Sequence, residues 1–130
     1  MFRKLFFLLS FTSLFSTSLY TQGNWEVLIP SCTSNQMVSL YFRDELNGWS
    51  VGQYGTITRT NDGGITWEVI EIEYLTNLAD VHFPSDYVGY IVGEDGFILK
   101  TNDGGDTWEI QENSYSNNLY RVKFGDEETG

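Results

Sequence analysis

Thr60-Asn61-Asp62-Gly63-Gly64-Ile65-Thr66-Trp67 returns as Thr101-Asn102-Asp103-Gly104-Gly105-Asp106-Thr107-Trp108, forty-one residues later. A fixed period of this size marks a repeat architecture. Working outward, Phe42, Phe83 and Phe124 keep the step, as do Gly48, Gly89 and Gly130. Between 36–72 and 77–113, fifteen of thirty-seven positions are identical without a gap, so the repeat covers the whole unit and not the octapeptide alone.

Each unit reads as four short strands separated by turn signals. In the first these are Val38 to Arg43, Trp49 to Val51, Thr56 to Arg59 and Ile65 to Ile72. In the second they are Ala79 to Phe83, Tyr90 to Val92, Phe97 to Lys100 and Asp106 to Ile110. Alternating apolar and polar side chains, β-branched and aromatic content, and closely spaced Gly turns such as Asn47-Gly48 are the signs of strands and hairpins. No mature stretch has an apolar period of 3.6. Four strands in about 41 residues is the size of one propeller blade. The fold expected is all-β: a β-propeller fragment of four-stranded antiparallel blades with a 41-residue repeat.

The register divides the chain into blades at 35–72 and 76–113 and the start of a further blade at 117–130. Asn24-Trp25-Glu26-Val27 resembles Thr66-Trp67-Glu68-Val69, which makes 21–34 a closing strand and linker. Residues 1–20 differ in kind. Arg3 and Lys4 precede an apolar run from Leu5 to Leu19 holding six Ser or Thr, too short and polar for a span of about 20 apolar residues. It reads as a secretory signal peptide, so the expected location is secreted, periplasmic or cell-surface, without stable membrane insertion after cleavage.

The chain carries a formal charge of −11, and removing Arg3 and Lys4 takes the remainder to −13. Such a charge repels phosphate backbones, so nucleic acid is not an expected partner. Cys32 is the single cysteine, so no disulfide forms within the chain. One histidine, His82, and one cysteine assemble no catalytic triad or metal site. No catalytic residue, metal or cofactor is expected. His82 is read as a strand surface position opposite Phe83.

The pattern Ser/Thr-x-Asp-x-Gly-x-Thr-Trp resembles the Asp-box, or BNR repeat. Thr60, Asp62, Gly64, Thr66 and Trp67, with Thr101, Asp103, Gly105, Thr107 and Trp108, are its residues here. A short Asp side chain accepts bonds from backbone N–H groups about two residues on and closes the turn. The glycines supply positive φ, and the Thr hydroxyls add a local bond. Trp67 and Trp108 are expected to be mostly buried wedges between sheets, and the period-mates Trp49 and Tyr90 to pack between blades. Thr60, Asp62 and Gly64 do not give the several alternating oxygen ligands of a calcium loop. The boxes are therefore expected to be structural.

The second unit in full, from Asn77-Leu78-Ala79-Asp80-Val81-His82-Phe83 through Gly89-Tyr90-Ile91-Val92-Gly93 and Gly96-Phe97-Ile98-Leu99-Lys100-Thr101, resembles the photosystem II stability and assembly factor repeat family. That resemblance implies an exported seven-bladed propeller without enzymatic activity. In plant and cyanobacterial members it implies an assembly factor of the thylakoid lumen. The basic patch those members use has no counterpart in this acidic chain. Exported bacterial proteins unconnected with photosynthesis carry similar repeats. The function expected is a non-catalytic scaffold with a protein partner, and turn aromatics such as Tyr54 and Tyr87 are the first place to seek its recognition surface. The alternative is an Asp-box glycoside hydrolase, sialidase-like or xyloglucanase-like, with carboxylates or a Tyr–Glu pair on loops at one end of the channel. The short turns leave little room for such loops.

Overall fold

The computed structural model describes residues 33–125 and residue 129. The signal peptide, the closing strand Asn24 to Ile29 and the acidic run Asp126 to Glu128 lie outside them. Two four-stranded antiparallel sheets account for the repeats. The first has the order β1 (Met37–Phe42), β2 (Gly48–Gly52), β3 (Ile57–Thr60) and β4 (Glu68–Ile70). The second repeats it as β5 (Leu78–His82), β6 (Gly89–Gly93), β7 (Ile98–Thr101) and β8 (Glu109–Ile110). The sheets lie face to face, with β1 and β2 packed on β5. Among the described residues no helix is long and apolar enough to cross a membrane.

The fourth strands are shorter than the sequence implies. Ile65 to Trp67 and Asp106 to Thr107 belong to the Asp-box turn, where the box's own hydrogen bonds hold the backbone out of the ladder. The first strand of a third blade does not form either. Residues 117–125 run beside the second sheet without strand pairing, since no second hairpin strand lies next to them among the described residues.

The core is centred on the junction of the sheets. Trp49, Val51 and Ile57 of the first meet Leu78, Val81, Phe83, Ile91 and Leu99 of the second. Trp49 is 1% exposed, with its ring centroid 4.1 Å from that of Phe83. One period on, Tyr90 stacks on Phe124 at 4.5 Å. The wedge between units is thus the second-strand aromatic, not the Asp-box tryptophan. Trp67 and Trp108 are half-buried and stand edge-on to Phe42 and Phe83 of their own sheets, at 6.1 and 5.8 Å. On the other side of the first sheet Leu40 and Phe42 are 59% and 39% exposed, whereas their period-mates Val81 and Phe83 are each 3% exposed under the neighbouring sheet.

The repeated Gly48 and Gly89 begin strands and do not turn the chain. A Cβ on Gly89 would come within 2.5 Å of the Phe83 ring, which lies across the strand there. The preceding turn is made by Asp44, whose Oδ1 accepts the N–H groups of Leu46 and Asn47, both at 2.8 Å.

Candidate functional site

The Asp-boxes are the most repeated chemistry in the chain. In the first box Asp62 accepts the backbone N–H of Thr66 at 2.9 Å and the Thr66 hydroxyl at 2.6 Å. The Thr60 hydroxyl donates to Asp62 at 2.8 Å and accepts the Gly64 N–H at 2.8 Å. The second box repeats these bonds: Thr107 N–H and hydroxyl to Asp103 at 2.9 and 2.5 Å, Thr101 hydroxyl to Asp103 at 2.7 Å, Gly105 N–H to Thr101 at 2.9 Å. The N–H that each Asp accepts comes from four residues on, not two, because two positive-φ glycines make the turn wide. With Thr hydroxyls bound first and backbone N–H groups second, both carboxyls are held at about 2. Their lone pairs are engaged inside their own turns, which leaves little for a substrate or cation.

Gly105 is tied to the neighbouring unit as well. Its φ is +91°, and a Cβ there would lie 2.5 Å from Nε1 of Trp49. The equivalent Cβ on Gly64 would meet nothing closer than 3.7 Å. The second box is the seat for the wedge of the first unit.

Above this seat is a cleft of about 430 Å³ holding Arg43, Arg59, Trp49, Tyr87 and Asp103. Both guanidiniums span the junction. Arg43 lies over the Trp49 ring at 5.2 Å and donates from Nη1 to the carbonyl of Asp86. Arg59 donates from Nε and Nη2 to Glu68 at 2.9 and 2.8 Å, and from Nη1 to Asp106 of the next unit. Burial opposes its charge, but the bonds to Asp106 and Glu68 outweigh that and raise its pKa. The arginine cluster of a sialidase has its guanidiniums open to a substrate carboxylate. Here Arg59 is committed to two carboxylates, and Arg43 stands 3.6 and 3.8 Å from those of Asp44 and Asp86.

The opposite end of the sheets carries a second repeated device that the sequence reading missed. Tyr54 and Asp95 both have φ of +55°, left-handed backbone that a tyrosine seldom adopts. In each case an amide of the following unit accepts the N–H: Asn77 Oδ1 from Tyr54 at 3.2 Å and Asn118 Oδ1 from Asp95 at 3.1 Å. The signal was present, since Asn77 and Asn118 are one period apart, but their partners turn only once the blades are stacked. Asp80 links units along the first strands, accepting from Ser39 at 2.7 Å and from the Val122 N–H at 3.0 Å.

His82 is not a surface position. It stands between Tyr41, edge-on at 5.2 Å, and Phe124, stacked at 6.1 Å, and burial lowers its pKa. Among the described residues nothing nucleophilic or acidic is hydrogen-bonded to it, so it packs units together. Among the described residues no three His, Cys, Asp or Glu side chains gather so as to hold a metal ion. Tyr54 and Tyr87 are exposed, at opposite ends of the blades, Tyr87 beside the arginine cleft.

Comparison with known proteins agrees with this architecture. The family described as "Photosynthesis system II assembly factor YCF48" matches residues 18–109 and 66–130, and the chain belongs to it. The solved structure "YCF48 bound to D1 peptide" is similar at a TM-score of 0.60 and 32% identity, over 66% of this chain and 29% of that one. YCF48 from Cyanidioschyzon merolae is similar at a TM-score of 0.59 and 27% identity, over the same shares. The chain thus spans about 29% of the length of these relatives. No curated protein matches it.

Proposed function

We propose that this member of the YCF48 family is a non-catalytic propeller scaffold that binds an extended segment of a protein partner during assembly, and that it works outside the cytoplasm. One observation carries the reading: two thirds of the chain is similar to a YCF48 structure that holds a D1 peptide. The geometry is consistent with it. The repeated carboxylates are consumed in their own turns, and the two arginines of the junction cleft face carboxylates of the protein itself. Export rests on Arg3, Lys4 and the apolar run that follows them.

The test uses the 130-residue chain with a fluorescein-labelled D1 peptide, followed by anisotropy, and in parallel with methylumbelliferyl sialoside and xyloglucan oligosaccharide. Saturable peptide binding without glycoside turnover is expected. Turnover of either glycoside would replace the scaffold with the hydrolase, and absence of peptide binding would remove the D1-type partner.

A further inference from the structure

The described basic residues and the exposed tyrosines lie mostly at different places on the molecule. Next to the left-handed turns at Tyr54 and Asp95 run the linkers between units. Gly55 N–H donates to the Thr76 carbonyl at 2.7 Å, and Asn113 donates from Nδ2 to the Gly96 carbonyl at 2.8 Å. Turns and linkers therefore share one rim. On it Tyr54, Tyr74, Leu75, Tyr115 and Tyr120 are between 41% and 79% exposed. The same segments, 53–56, 71–77, 94–96 and 111–120, contain Glu71, Glu73, Glu94, Asp95 and Glu112 and neither lysine nor arginine, and one exposed cation, Arg121, borders them next to Tyr120. At the other end Arg43 and Arg59 sit among carboxylates that balance them.

A surface of this composition has a defined complement. Tyrosine offers a large, stiff, amphipathic anchor whose ring face attracts cations, and such residues concentrate binding energy at interfaces. Five carboxylates against one bordering cation leave a net negative field, which speeds the approach of a basic partner and selects against an acidic one. Beside Tyr120 lies a cleft of about 250 Å³ with Leu119 and Ala79 near the amides of Gln53 and Asn77, room for small apolar side chains and for backbone hydrogen bonds. The Asn77 and Asn118 amides fix the turns that present Tyr54 and Asp95, so the surface is held in shape before a partner arrives.

We infer that this rim is the docking surface for an extended protein segment in which lysine or arginine alternates with small apolar residues. The inference rests on the scaffold reading and gives it a location and a ligand chemistry.

The test measures anisotropy of labelled (Lys-Gly-Leu)4 with the whole chain, and of (Glu-Gly-Leu)4 as the like-charged control. The basic peptide binds and weakens as salt rises from 0.05 to 0.5 M, where screening shortens to a few ångströms. Glu73→Lys weakens it about tenfold, roughly 1.4 kcal/mol. Glu45→Lys, the same charge change at the opposite end, weakens it less than about threefold. Tyr54→Asn, which keeps a residue tolerant of left-handed backbone, weakens it about fivefold. Equal weakening by Glu45→Lys and Glu73→Lys, indifference to Tyr54→Asn, or no binding of the basic peptide overturns the inference. A D1 peptide that still binds in any of these cases leaves the scaffold reading standing.

Discussion

The Trp49 ring of the first unit lies 4.1 Å from the Phe83 ring of the second, and Tyr90 repeats the contact with Phe124 one period later. The Trp49–Phe83 pair joins two blades through β2 of the first and the residue that follows β5 of the second, close to the stacked β1 and β5. Trp49→Ala should therefore destabilise the chain by about 3–5 kcal/mol, the usual loss on emptying a large aromatic site. Trp67→Ala, at a half-buried position, should lose less than half as much. Urea unfolding of the two variants checks the order, and the reverse order would return the wedge to the Asp-box tryptophans.

Glycine requirements differ between the two boxes. Gly105→Ala places a methyl group 2.5 Å from Trp49 Nε1, while Gly64→Ala makes ordinary van der Waals contact with the Phe42 and Trp67 rings at 3.7 Å. Both positions have φ of +91°, so both variants carry the same backbone strain. Gly105→Ala should lower the melting temperature more, by several degrees beyond Gly64→Ala (about 4–8 °C per kcal/mol for a domain of this size). Equal melting temperatures would mean that Trp49 moves aside freely.

How much of this was legible in the sequence depends on whether the cause was local. The Asp-box hydrogen bonds close within five residues, and the period with its strand alternation gives the blades. The aromatic period-mates Trp49 and Tyr90 do pack between blades, as their recurrence implies, but their partners Phe83 and Phe124 lie thirty-four positions away and share no motif with them, so the pairing itself emerges only when blade faces meet. Identity between repeats pointed to Trp67 and Trp108 as wedges too, but identity is a signal of shared local structure and not of burial. The Asn47-Gly48 pair read as a turn, yet Gly48 is required by the Phe42 ring across the strand. Residues 117–125 have strand composition without a paired strand, since among the described residues nothing supplies the hairpin partner that β2 and β6 give to β1 and β5.

Acid should weaken the fold through the boxes. Asp62, Asp103 and Asp44 have folded pKa values of about 2, below the ordinary value near 3.8. Their contribution is complete above the unfolded value and is lost as pH falls through the folded one. Melting temperature should fall from about pH 4 towards pH 2. His82 adds a separate slope. Burial lowers its pKa, with Asp80 raising it and Lys123 lowering it, so the unfolded chain takes up the proton first. That stability is present above about pH 6.5 and is lost as pH falls towards the lower folded value. His82→Phe should flatten the profile just below about pH 6.5 and leave the acid limb intact. A profile unchanged by the substitution would place the slope elsewhere.

The amide staples should be felt by neighbouring blades together. Asn77→Ala removes the acceptor for the Tyr54 N–H, and the loss of a typical hydrogen bond is about 0.5–1.5 kcal/mol. Amide hydrogen exchange should quicken at Tyr54 and Gly55 in the first unit although the substitution is in the second. Faster exchange confined to residues around 77 would show that the staple does not couple the units.

The central claim is that the repeated Asp-box is architecture and that recognition lies elsewhere on the blades. Melting temperature and D1 peptide affinity measured on one preparation of Asp62→Ala/Asp103→Ala test it most directly, with binding read well below the melting transition. The account predicts a melting temperature lowered by several degrees, from backbone and hydroxyl donors left without acceptors, and an affinity within about twofold of the parent, under half a kcal/mol. An unchanged melting temperature with peptide binding lost would contradict it, and would make the boxes the site.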